Sequence, residues 1–204
     1  MNKKALLKFA VLFLLTYLVL LGLSLQFGQH YIELLLPLYR WEIAWLAPDY
    51  HIVSLALADN HNETVVALNL DLIRYIVVAS HALPPTSGIS SSTLAGHALQ
   101  HPLLMLSLLV VWPTANNFQR IKHLVVAVPL LLLVEMLDVP LVLLGSIEDL
   151  MIANIAPDTL SFLVAWMNFM NGGGRLALSI VGAFTVVSFA RWLTAQLPRF
   201  RETK

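Results

Sequence analysis

The sequence predicts an α-helical integral membrane protein with four transmembrane helices and both ends cytoplasmic. Three observations predict it. Of 204 residues, 58% are hydrophobic and 12% are charged, about half the charged share of a soluble domain. Four apolar runs have about the 20-residue length that crosses a bilayer. When the chain is threaded through those runs, nine of the twelve Lys and Arg residues fall on one side. The positive-inside rule makes that side cytoplasmic.

The first run, residues 5–26, follows Lys3 and Lys4. It is longer than a signal-peptide core and no A-x-A site follows it. It reads as an uncleaved anchor, with cleavage near Ser24 as the alternative. Residues 27–79 are expected outside, as an interfacial helix and a β-hairpin. In the helix, Tyr31, Trp41 and Trp45 are interleaved with Glu33, Arg40 and Glu42, a mixture that suits a membrane surface. Pro37 is expected to break it. Beyond it, Leu68, Leu70 and Leu72 alternate with Asn69, Asp71 and Ile73, mostly the period of a strand. The run Asp59-Asn60-His61-Asn62 supplies the turn. Such a hairpin belongs outside the bilayer, because its edge amides would be unpaired in lipid.

Residues 80–93 read as a loop. The second and third crossings are expected at 94–113 and 122–145, joined by a short polar connection bearing Arg120 and Lys122. Pro129 and Pro140 predict kinks in the third. Residues 146–173 form an outer segment, of which 159–170 is apolar enough to lie in the interface. The fourth crossing covers 174–193, and 194–204 is a basic tail.

Three features could carry chemistry. Glu135 and Asp138 lie inside the third crossing, three residues apart and so on one face. An ionised carboxylate at that depth costs about 2.5 kcal/mol or more, so the pair serves either a proton or ion site or a lock between helices. His97 and His101 share a helical face at the i, i+4 spacing that metal sites use. Without Cys, and without a Glu between them, they do not make a metalloprotease motif. Satisfied interfacial histidines are the other reading, and no metal or cofactor is expected. Gly172, Gly173 and Gly174 precede Arg175, and with Asn171 they start the fourth crossing. Amides at a helix start together with a guanidinium favour an anion. The plain alternative is a helix-start loop with Arg175 at the headgroups. All three features are expected near one leaflet, where Arg175 pairing with Asp138 or Glu135 would relieve both burial costs.

With no cysteine in the chain, disulfides, thiolate ligands and a cysteine nucleophile are excluded. The basic residues flank crossings rather than forming a patch, so nucleic acid is not an expected partner.

The run Pro85-Thr86-Ser87-Gly88-Ile89 before a span resembles the A-C-S-G-type loop of exosortases and archaeosortases, with Thr86 where their Cys stands. The 120–139 stretch resembles that family's following basic loop and span. Asn171-Gly172-Gly173-Gly174-Arg175 resembles the start of a later span but lacks the family His. Without the Cys, the resemblance implies an exosortase-associated accessory protein or degenerate relative rather than the peptidase.

The expected function is therefore a non-enzymatic accessory or assembly subunit of a bacterial envelope protein-sorting or export system in the inner membrane. Its partners would be membrane lipid and another membrane or exported protein. One alternative is a membrane enzyme acting on peptide or lipid at the outer leaflet. In that case Ser87 or Ser92 would be the nucleophile, His97 the base and Arg175 the anion holder. The other is a proton- or ion-coupled carrier built on Glu135 and Asp138.

Overall fold

In a computed structural model, residues 3–78, 81–85, 88–114, 116–155 and 159–196 are described. The first element, α1 (Lys3–Leu46), is a single helix of 44 residues. The break expected at Pro37 is absent, and the separate interfacial helix expected over 27–49 is the second half of α1. The reason lies in its spacing. Ile32, Leu35, Tyr39 and Ile43 recur every three or four residues and are all buried. Their burial outweighs the roughly 3 kcal/mol that an internal proline costs.

The hairpin is present. Strands β1 (Tyr50–Asn60) and β2 (Glu63–Leu72) pair antiparallel, with Asn60 opposite Glu63. The two residues between them, His61 and Asn62, have φ of 48° and 66°. This left-handed pair makes the two-residue turn that matches strand twist. On β2, Val66, Leu68, Leu70 and Leu72 are buried, whereas Asn69 faces out and bonds Ser54 across the sheet at 2.7 Å.

The loop expected at 80–93 is largely strand. After a short β3–β4 pair (Ile76–Val78 with His81–Leu83), β5 (Gly88–Leu94) runs antiparallel to β2. The sheet order is β1-β2-β5. Ser91 and Thr93 turn inward, and the Ser91 hydroxyl donates to the Leu143 carbonyl at 3.0 Å. A serine run has no apolar alternation to reveal it. Its inward hydroxyls are satisfied by partners that only the fold brings near.

Helix α2 (Ala95–Val111) has 17 residues, about 26 Å. Helix α3 (Asn117–Ile155) has 39 residues and continues through Pro129 and Pro140. The outer segment expected from 146 is therefore, as far as Ile155, more of α3. Helix α4 (Phe162–Phe169) is capped by Ser161, whose oxygen accepts from the Val164 amide at 3.2 Å. A π-type turn (Met170–Gly174), with Gly173 at φ 113°, leads into α5 (Arg175–Gln196). Among the described residues, three helical stretches are long and apolar enough to cross a membrane: Lys3–Leu46, Asn117–Asn154 and Phe162–Leu193. The expected crossing at 94–113 corresponds to the shorter α2.

The chain divides into two units. The helical unit comprises residues 1–26, 100–134 and 176–204. Its core is Met105, Leu109, Ala127, Val134, Ala183, Val186 and Val187. The sheet unit comprises 27–99 and 135–175. Its core joins Ile32, Leu35, Tyr39 and Ile43 of α1, Val66, Leu68 and Leu70 of β2, and Val139, Leu143 and Ile147 of α3. Gly145 lets α3 approach α4 closely, since a Cβ there would stand 2.6 Å from the Leu163 carbonyl oxygen.

Candidate functional site

The buried polar groups of the sheet unit gather on the start of its α3 segment. Asp138 and Glu135 are both wholly buried. Arg175, 3% exposed, directs its Nε at both Asp138 oxygens, at 3.0 and 2.8 Å. Its Nη1 donates to the Asn171 carbonyl oxygen at 2.9 Å. Asn171 and Arg175 are four apart across the π turn, which presents them together. Trp166 Nε1 donates to the Leu137 carbonyl at 2.7 Å, tying α4 to α3 between the two acids.

Glu135 takes a different set of partners. The Tyr31 hydroxyl donates to Oε1 at 3.0 Å and the Tyr39 hydroxyl to Oε2 at 2.8 Å. Sequence reasoning missed both tyrosines in this role and placed Tyr31 at the interface. One signal was available: an acid inside an apolar span needs donors. Tyr31 and Tyr39 supply them, eight residues apart and so on one face of α1.

The expected anion-binding helix start at Gly172, Gly173 and Gly174 is instead the π-type turn between α4 and α5. Gly174 is buried, where a Cβ would stand 2.7 Å from the Phe169 carbonyl oxygen. The Arg175 charge faces Asp138 rather than an outside anion. His97 and His101 belong to different units. His97 Nδ1 lies 3.2 Å from Thr93 Oγ1 in the sheet unit, and His101 Nδ1 lies 2.8 Å from Ser179 Oγ in the helical unit. Ser92 is exposed on β5, and the hydroxyl that reaches His97 is that of Thr93. Ser87 lies outside the described residues.

Two further features sit in the sheet unit. Glu42, beyond the apolar first half of α1, is 8% exposed, and its Oε2 has no hydrogen-bond partner among the described residues. Burial pushes its carboxyl up to about 7. A groove of about 540 Å³ is lined by Asn60 and Asn69 of the hairpin, Ser90 and Ser92 of β5, and Ser146 and Asp149 of α3. The unit carries eleven of the chain's twelve acids and three of its twelve Lys and Arg residues. Of those three, Arg74 pairs with Asp49 and Arg175 with Asp138.

Chemically, Asp138 with Arg175 and Glu135 with Tyr31 and Tyr39 form bonded sets that fix helices against one another. No family model, curated protein or solved structure matches the chain.

Proposed function

We propose that this chain is a multi-pass protein of a bacterial inner membrane, with both termini cytoplasmic. Its role is that of a non-enzymatic accessory or assembly subunit of an envelope protein-sorting or export system. The membrane reading is supported by the first half of α1, where Leu6, Leu7, Leu14, Leu15, Leu18 and Val19 are all more than half exposed. A helix apolar all round needs lipid or another apolar partner. Four crossings use residues 5–26, α2, the first part of α3 and α5. The open sheet lies outside the hydrocarbon, since its edge amides need water or a partner.

The observation that carries the accessory role is a contrast within the sheet unit. Among its described residues, the clustered acids Glu135 and Asp138 are already bound by Tyr31, Tyr39 and Arg175. Meanwhile β1 and β5 are the edge strands of a three-stranded sheet. An extended segment can add to such an edge through main-chain bonds. The excess of acids selects a basic segment, and the β5 edge borders the polar groove with Asp149.

The enzyme reading draws on the Thr93–His97 contact. Thr93, however, is only 7% exposed, so its hydroxyl faces packed protein and the accessory role is preferred. The test is photo-crosslinking in cells from Ser92 on β5 and Val53 on β1. A discrete adduct with another envelope protein is expected. Recovery of the chain as a lone, monodisperse species with no adduct from either edge overturns the proposal.

A further inference from the structure

The helical unit carries an apolar groove between the start of α3 and the end of α5. Its wider part, about 850 Å³, runs from Phe118 and Lys122 on α3 to Trp192 and Gln196 on α5. A second hollow of about 500 Å³ shares Val125 and Val126 with it and continues to Leu133 and Phe189. From Phe118 to Leu133 the α3 wall is about 22 Å long, comparable to the hydrocarbon of one leaflet and a little more. The Thr185 hydroxyl in the second hollow is bonded to the Val181 carbonyl, and the groove is charged at one end only, where Lys122 and Gln196 line it. Lys122 is held there with its Nζ 4.6 Å from the centre of the Phe118 ring.

Charge chooses the occupant. Among the described residues of this unit there is no acid. Lys122 is the charged side chain of the groove's lining, and among the described residues its own unit offers it no carboxylate. A partner helix would need no cation at one end of a wholly apolar slot. A lipid with an apolar tail and an anionic headgroup matches both ends. Basic pockets between helices on the cytoplasmic side take such headgroups, and Trp suits the boundary between them.

We infer that this groove binds an anionic glycerophospholipid, acyl chain along α3 and α5, phosphate at Lys122. The inference rests on the membrane reading, which is tested separately: the full-length chain must stay in the membrane fraction after alkaline carbonate. Native mass spectrometry of the detergent-purified chain then measures competition between dioleoyl phosphatidylglycerol and dioleoyl phosphatidylcholine. The expected result is about a fivefold preference for the glycerol lipid, since one cation near a headgroup contributes about 1 kcal/mol.

The preference is lost in K122Q and kept in K122R and in K3Q/K4Q. Val125→Trp, at a position 66% exposed and so outside the core, fills the groove and abolishes retention of either lipid. Equal retention of the two lipids overturns the inference. So does a preference that survives K122Q or Val125→Trp, or a dimer that Val125→Trp dissociates.

Discussion

Replacing Arg175 by methionine removes the cation from a carboxylate that is wholly buried. The guanidinium reaches both Asp138 oxygens through Nε, at 2.8 and 3.0 Å, with side chains 4% and 0% exposed. Removing one partner of such a pair costs about 3–5 kcal/mol, because the remaining charge has lost its compensation. Asn171 also loses the Nη1 donor, for about 1 kcal/mol. The double variant Arg175→Met/Asp138→Leu removes both charges and keeps similar volumes. It is expected within about 1 kcal/mol of the wild type, since buried ion pairs barely repay their desolvation. Asp138→Leu strands the guanidinium and by the same rule costs about 3–5 kcal/mol, so the coupling between the two positions is about 5–9 kcal/mol. Reversible unfolding in mixed micelles, run on both singles and the double, measures it. If Arg175→Met unfolds within 1 kcal/mol of the wild type, or the double is no more stable than the worse single, the reasoning from burial is refuted.

Three further outcomes follow from the geometry. Tyr39→Phe is expected to cost about 1–3 kcal/mol in the same unfolding assay, the range for leaving a buried acceptor unsatisfied. Tyr31→Phe should cost less, since its bond to Glu135 is longer and only partly buried; the reverse order would show that Tyr31 carries the bond. Gly145→Ala places a Cβ 2.6 Å from the Leu163 carbonyl oxygen and 2.9 Å from the Met167 Cβ. Overpacking of that kind costs about 1–3 kcal/mol, whereas Gly22→Ala, which meets nothing within 4 Å, should be neutral or slightly stabilising in a thermal melt. Glu42 makes stability fall as pH rises. Its carboxyl holds a proton more tightly when folded, so the stability present below its ordinary value of 4.5 is lost between there and about 7. Glu42→Gln should remove that part of the slope in melts between pH 4.5 and 8, and an unchanged slope would exclude Glu42 as its source.

The hairpin was legible in the sequence because its determinants are local. Alternating leucines and a polar turn need no distant partner to be recognised. The need for a counter-charge was equally legible, since carboxylates inside an apolar run are costly wherever the helix lies. What the sequence left open was which group answers which acid. Arg175 could have reached Glu135 or Asp138. The π turn at Gly173 sets it on Asp138, and the Tyr31 and Tyr39 face of α1 takes Glu135. Strand β5 was illegible because Ser90, Ser91 and Ser92 carry no apolar period, and β2 makes them a strand by pairing. Pro37 misled for the opposite reason: a strong local signal was overridden by a buried face that spans it. Composition and charge order along the chain thus determine the apolar runs and the direction expected of them, because each depends on the residues of one segment. The partners of the buried charges, the third strand and the two grooves were decided only by the tertiary structure, because each depends on residues from separate segments meeting in space.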